Sequence, residues 1–196
     1  MPSCTLMLRG RASRRSPEGL KDFSEGGVAM HAWKSTQQPS TPFGRLLVIG
    51  LVSGFISAMV KSGVETILPP RPPSAVPPPI GLLELMGFDA GSMNYMFNQT
   101  VVNWGGNGVH ILFSMVMAFV FCWLVERCPK VGAWWGIPFA WVTATIGAHC
   151  IVLPLLGVGP LPWHIGLDGF ISEFIGTAIW IWTIECVRRV MVHTPH

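Results

Sequence analysis

Four long apolar segments, separated by polar stretches, dominate the hydrophobic pattern of this chain. They run over about residues 45–68, 106–125, 132–153 and 169–187. Each approaches the roughly 20 residues that a helix needs to cross a bilayer. None shows the strict alternation of a strand, and in lipid only helices or closed barrels satisfy every backbone hydrogen bond. The pattern therefore predicts an all-α, polytopic membrane protein, a four-transmembrane-helix bundle over residues 44–190.

The flanks of the predicted bundle are polar. Residues 1–43 are rich in Ser, Gly, Pro and Arg and show no apolar periodicity, which predicts a disordered segment. No apolar run precedes residue 45, which argues against a cleaved signal peptide. Translation from Met1 and translation from Met30 are both compatible with this pattern. Residues 191–196 are expected to form a short tail.

The longest connection, residues 69–104, is rich in proline at its start. Such a segment favours extended polyproline II structure. We expect a stiff surface loop, with a short interfacial helix near Gly81–Phe88.

Composition agrees with a membrane protein, because half of the residues are hydrophobic and only 12% are charged. A soluble domain usually carries about 25% charged residues. The net charge of +3 comes mostly from the polar N-terminal segment, so it does not indicate a nucleic-acid partner. The expected partner is the lipid bilayer itself.

The Lys and Arg residues predict the orientation. Two flank the second loop (Arg127, Lys130), two follow the last segment (Arg188, Arg189), and the other two loops together carry only Arg71. Seven more lie at or before the start of the first segment: Arg9, Arg11, Arg14, Arg15, Lys21, Lys34 and Arg45. Because basic residues beside membrane spans favour the cytoplasmic side, both termini are predicted to be cytoplasmic.

Apart from Arg45 and Glu185 at the inner ends, five Lys, Glu and His side chains lie inside the apolar segments: Lys61, Glu65, His110, His149 and Glu173. When the segments are threaded alternately across a bilayer, all five fall in the outer half. Charges inside hydrocarbon are costly, so such residues usually face the bundle interior and mark proton or ion pathways. The functional hypothesis is a site for protons or other cations. The structural alternative is a polar network that only joins the helices.

Rows of small residues at four-residue spacing predict close helix packing, because small side chains let helix backbones approach in lipid. The residues concerned are Gly50, Gly54, Ala58, Gly132, Gly136, Ala140, Ala144, Ala148 and Gly176. Near the inner end, Glu185 lies three and four residues before Arg188 and Arg189, a spacing that predicts an ion pair on one helix face.

Catalytic and metal-binding patterns are weak. The five cysteines form no C-x-x-C pair, and the histidines show neither H-x-x-x-H nor H-E-x-x-H spacing. No Ser or Cys has a base at a recognisable spacing. We therefore expect no metal, no cofactor and no enzymatic activity.

The chain resembles the YagU family of bacterial inner-membrane proteins over residues 44–190. The resemblance is carried by three groups of residues: Ile49-Gly50-Leu51, Ser57-Ala58, Val60-Lys61, Glu65 and Leu68-Pro69-Pro70-Arg71; Asn103-Trp104, His110-Ile111 and Phe113-Ser114; and Ser172-Glu173, Gly176, Trp180, Trp182, Ile184-Glu185 and Arg188-Arg189. It implies a multi-pass protein of the bacterial inner (plasma) membrane and no particular reaction. A longer N-terminus and a shorter first outer loop depart from the family pattern.

Three functional hypotheses follow. The first is a small integral inner-membrane protein whose protonatable cluster makes it a proton-linked transporter or channel, with a homo-oligomer completing a conducting path. The second is a non-transporting scaffold or acid-stress factor that binds a partner protein. The third is a lipid-modifying membrane enzyme that uses Glu173 and a histidine as acid and base.

Overall fold

The computed structural model describes residues 41–72, 74–157 and 166–193, all within the unit Pro39–His196. Most of the predicted disordered segment and residues 194–196 of the predicted tail lie outside these ranges. Four helical stretches of the described chain are long and apolar enough to cross a membrane: Phe43–Ile67, Trp104–Arg127, Pro129–Leu155 and Gly166–His193. The predicted class, an all-α bundle of four transmembrane helices, is confirmed.

The elements follow one another in a simple order. They are α1 (Phe43–Ile67), α2 (Pro78–Leu85), a 3₁₀ turn (Ala90–Ser92), β1 (Asn94–Phe97), β2 (Thr100–Asn103), α3 (Trp104–Arg127), a second 3₁₀ segment (Pro129–Gly136), α4 (Ile137–Thr143), a π-helical segment (Ala144–Val152), α5 (Leu153–Leu155) and α6 (Gly166–His193).

Helix α1 makes the most extensive helix–helix contacts of the bundle, to α3 and α6. Its buried face carries small residues, among them Gly54, Ser57 and Ala58. Its opposite face exposes large apolar side chains such as Leu51 and Phe55. An apolar face on the outside and a small, polar face on the inside is the reverse of a soluble bundle, and it suits a lipid environment.

Two glycines of α1 allow α3 to approach at backbone distance. A Cβ added at Gly50 would lie 2.6 Å from the Cα of Phe119, and one at Gly54 would lie 2.4 Å from the Cα of Met115. Real Cβ atoms do not approach this closely, so any larger residue would push α1 and α3 apart. By contrast, a Cβ at Gly176 would meet only Val64, at 4.0 Å, which is ordinary contact.

Buried hydroxyl groups join the three helices beside this contact. The Oγ atoms of Ser57 and Ser114 lie 3.1 Å apart, and Ser114 Oγ donates to the carbonyl of Gly54 at 2.8 Å. Trp180 Nε1 from α6 donates to Ser114 Oγ at 2.7 Å. Each polar group therefore finds a partner in a place that water does not reach. Towards the other end, Phe121, Ile181 and their neighbours form the apolar core.

The third apolar segment is not one regular helix, which corrects the predicted row of small residues from Gly132 to Ala148. Trp134 (φ 52°), Trp135 (φ 59°) and Gly136 (φ 75°) lie in the left-handed region. Three such residues cannot belong to a right-handed helix. Gly132 and Gly136 therefore precede the helix, which begins at Ile137.

Gly136 still needs to be a glycine. A Cβ at this position would lie 2.7 Å from Ile181 Cγ2 and 2.7 Å from Phe121 Cζ. Its positive φ and its crowded surroundings both exclude a side chain.

The segment between α1 and α3 is more ordered than a polyproline loop. The short helix predicted near Gly81–Phe88 is observed slightly earlier, as α2. Strands β1 and β2 pair in antiparallel register through a two-residue turn at Asn98 (φ 45°) and Gln99 (φ 62°). The sequence pattern did not predict this hairpin. Asn is well suited to such a turn because it tolerates positive φ.

The close approach of α1 and α3 is testable by comparing two glycines of the same helix. We expect Gly54→Ala to reduce the stability of the bundle by about 1–3 kcal/mol, the usual cost of overpacking. Gly63→Ala is the matched control, because a Cβ there meets nothing within 4 Å. Unfolding in detergent measures both variants. Equal stability of the two would contradict the packing described here.

Candidate functional site

Five elements bring ionisable side chains to one half of the bundle. The end of α1 carries Lys61 and Glu65, and Arg71 follows in the loop. The early turns of α3 carry His110, the π-helical segment carries His149, and the early turns of α6 carry Glu173. We call this set the Glu173 cluster: Lys61, Glu65, Arg71, His110, His149 and Glu173. The bundle half that contains it is called the Glu173 half.

Glu173 lies between two cations. Its Oε1 is 3.7 Å from Lys61 Nζ, and its Oε2 is 3.8 Å from Arg71 Nη2. Thr177, one turn further along α6, donates a hydrogen bond from Oγ1 to Glu173 Oε1 at 3.3 Å. The Glu173 side chain is only 14% exposed. A carboxylate held at this depth depends on these positive neighbours for its charge.

Lys61 lies close to two carboxylates. It forms an ion pair with Glu65 on its own helix and also lies near Glu173 across the bundle. Lys61 thus links the two carboxylates. The four full charges of the cluster, from Lys61, Arg71, Glu65 and Glu173, sum to zero.

His110 lies on the α3 side of the same cluster. Its Nδ1 is 3.4 Å from Ser62 Oγ of α1. The charges of Glu65, Lys61 and Glu173 all act on its ring. This imidazole is therefore part of the electrostatic environment of the carboxylates, although it makes no ion pair with either of them in the described chain.

His149 is the most unusual member of the cluster. The residue is only 6% exposed, and its Nδ1 has no hydrogen-bond partner among the described residues. A buried polar atom without a partner is rare and asks for an explanation. The residue sits in a π-helical segment, a geometry that is frequent at functional sites.

Two small recesses meet at His149 and Glu173. The larger, of ≈ 40 Å³, is also lined by Arg71 and by apolar groups of Pro70, Pro78 and Leu153. The smaller, of ≈ 20 Å³, lies against Trp141 and Phe174. Since one water needs roughly 10–15 Å³ of such space, the larger recess suits a ligand of only a few atoms.

Arg71 was not among the predicted site residues. The sequence did contain an indication, because Arg71 is the only Lys or Arg in the two loops predicted to be outside. It follows Pro69-Pro70, whose restricted backbone directs the chain after α1. Only the fold shows that this arginine reaches a carboxylate of α6, more than a hundred residues away in sequence.

A metal centre is not indicated by the arrangement of these groups. In residues 41–72, 74–157 and 166–193, no three His, Cys, Asp or Glu side chains are placed to hold a metal ion. The chemistry available to the cluster is proton uptake by carboxylates and imidazoles, and attraction of small ions by Arg71 and Lys61.

The opposite half of the bundle holds the predicted ion pair of α6. Glu185 is fully buried and accepts hydrogen bonds from Arg188 Nε (2.6 Å), Arg188 Nη2 (2.8 Å) and Arg189 Nε (2.7 Å). The Arg189 guanidinium also lies 4.0 Å from the ring centroid of Trp135. This contact joins the end of α6 to the 3₁₀ segment before α4, which gives the ion pair a structural role.

We expect Glu185→Ala to reduce the free energy of unfolding by roughly 3 kcal/mol, because it leaves Arg188, whose side chain is only 13% exposed, without its partner. Arg189→Ala should cost less, since that side chain is 43% exposed and Arg188 still neutralises Glu185. Detergent unfolding of both variants tests this order. A smaller loss for Glu185→Ala than for Arg189→Ala would contradict the proposed role of the buried carboxylate.

Comparison with known proteins agrees with this architecture. A family model described as "Protein of unknown function (DUF1440)" matches residues 55–186. The chain is 33% identical to the inner membrane protein YagU of Escherichia coli (strain K12) over 190 residues, covering 82% of this chain and 90% of that protein. No solved structure matches. The match to the family model includes all six residues of the Glu173 cluster. This chain therefore belongs to the DUF1440 family, and it is a multi-pass protein of the inner membrane.

Proposed function

We propose that this protein moves protons across the inner membrane as a proton-linked transporter, with Glu173 as the group that takes up and releases the proton. The observation that carries the proposal is the position of Glu173 between Lys61 and Arg71, deep in the bundle and beside a recess. A carboxylate in such a place costs free energy, so its presence favours a functional role.

The Lys and Arg residues favour an orientation in which the Glu173 half faces the outside of the cell. The proposed site then receives protons from the outer solution. His149 lines the same recess as Glu173, and chains of His, Asp and Glu are the usual parts of proton relays in membrane proteins.

A carrier mechanism fits the packing better than an open channel. Between the Glu173 cluster and Glu185, the polar groups of Ser57, Ser114 and Trp180 continue along the interface of α1, α3 and α6. At the same level, however, Gly54 brings α1 into backbone contact with α3. We therefore propose that the helices move during transport. The homo-oligomer expected from the sequence remains a prediction, which cross-linking in membranes would test.

The proposal is tested by flux into liposomes. Purified protein is reconstituted with an internal pH dye, and an acid pulse is applied outside in a chloride buffer. We expect proton entry above protein-free liposomes for the wild type. Glu173→Gln should lower the proton flux by at least about tenfold, because the amide cannot take up and release the proton.

Glu84→Gln is the matched control. Glu84 is an exposed residue of α2 and lies outside the Glu173 cluster, so its removal changes the net charge equally. Its flux should equal that of the wild type. Wild-type flux no higher than that of protein-free liposomes, or full flux through Glu173→Gln, would contradict the proposal.

A second candidate function, partner binding, rests on the β1–β2 hairpin. This hairpin exposes the large side chains of Tyr95, Met96, Phe97 and Val101. It connects to the start of α3 and therefore lies at the Glu173 half. A scaffold would use such a surface to hold a partner protein.

The two candidates respond differently to mutation. If the hairpin holds a partner, replacing Met96 and Phe97 by serine should remove the cross-linked species formed in native membranes, whereas Glu173→Gln should leave it intact. An unchanged cross-linking pattern in the hairpin variant would exclude this surface as the partner site.

A further inference from the structure

We infer that the larger recess of the Glu173 cluster binds one small monovalent anion when Glu173 takes up a proton, so that proton and anion occupy the site together. The inference rests on the proposed function and gives it a substrate class. It depends on three features of the structure: the donors that line the recess, its size, and the charge balance of the cluster.

The lining offers unused donor capacity. His149 is only 6% exposed and therefore 94% buried, and its Nδ1 has no hydrogen-bond partner among the described residues. Arg71 lies 3.8 Å from Glu173, beyond the 3.5 Å reach of a hydrogen bond. An anion in the recess would receive hydrogen bonds from the Arg71 guanidinium and, once the enclosed imidazole turns its Nδ1–H towards the recess, from His149. Hydrogen bonds to a charged acceptor are the stronger kind.

The size of the recess limits the ligand. A volume of ≈ 40 Å³ accommodates a halide or another anion of a few atoms, and it is too small to enclose a sugar acid or a phosphate ester. The remaining walls come from Pro70, Pro78, Val152 and Leu153. Apolar walls strengthen the attraction between the anion and the two donors, because they keep bulk water away.

Charge balance makes the anion depend on the proton. The charged and titratable groups around Glu173 come from every neighbouring element: Lys61 and Glu65 from α1, Arg71 from the loop, His110 from α3 and His149 from the π-helical segment. With both carboxylates ionised and both imidazoles neutral, the cluster is neutral, and an added anion would leave an uncompensated negative charge. Protonation of Glu173 leaves a charge of +1, which one monovalent anion neutralises.

The dependence is mutual. In a low-dielectric site a net charge is costly, so the proton favours the anion and the anion favours the proton. Thermodynamic linkage requires both effects to be equal in size. Binding of either ligand therefore favours binding of the other, as coupled transport of a proton and an anion requires.

Binding is tested without any gradient, on the intact protein in detergent. Chloride is the probe, and the broadening of its nuclear magnetic resonance line reports the bound fraction. We expect the wild type to broaden the line in acid and not at neutral pH. Glu173→Gln, which resembles the protonated carboxyl, should bind chloride at both pH values. Nitrate should compete in each case, whereas gluconate should not.

Two variants probe the donors. In acid, Arg71→Gln and His149→Phe should each weaken chloride binding by at least about tenfold, the effect of losing one hydrogen bond to a charged group. Glu84→Gln and Arg127→Gln are the controls for a change of charge outside the cluster, and both should bind like the wild type. Size-exclusion profiles establish that every variant is folded.

Several outcomes would overturn the inference. These are no chloride-dependent broadening in acid, equal binding by wild type and Arg71→Gln, or binding by Glu173→Gln that still requires acid. Because the binding assay uses no membrane, its failure is separate from failure of the flux assay. Chloride binding without proton flux would overturn the transport proposal and leave the anion site. Proton flux without chloride binding would overturn the anion site and leave the transport proposal.

Discussion

Charge neutrality inside an apolar environment is the constraint on which the rest of this structure depends. Lys61 and Arg71 face Glu65 and Glu173 at partly buried positions, and the four charges cancel. Any group that changes its charge there must be compensated locally. The proposed proton uptake by Glu173 would therefore be coupled to a second charge, and the recess beside His149 and Arg71 is where we propose that this charge binds.

The packing of α1 serves this constraint. Gly50 and Gly54 bring α3 to backbone distance, which leaves little space for water below the cluster. Ser57, Ser114 and Trp180 satisfy one another at this level. The tight contact thus separates the Glu173 half from the opposite half. A proton taken up at Glu173, as proposed, would meet a closed interface, so the proposed transport requires a rearrangement of the helices.

The two halves of α6 use carboxylates differently. Glu185 is saturated by three hydrogen bonds from two arginines and fixes the helix end. Glu173 is held by longer contacts and borders free space. A saturated ion pair suits a structural role, because exchange of any partner is costly. Loosely held charges beside a recess suit a group that must change its protonation state. The same residue type therefore serves stability at one end and proposed chemistry at the other.

The sequence by itself determined the membrane class, the four spans and five members of the cluster, because apolar length and intramembrane charges are local properties. It also indicated the Glu185 pair, whose spacing lies within one helix. It did not reveal that Lys61 contacts both carboxylates or that Arg71 completes the site, since these contacts join distant segments. Nor did it predict the left-handed Trp134 and Trp135, the hairpin, or the π-helical geometry at His149. Those features depend on how neighbouring helices crowd one another, and only the tertiary structure decides that.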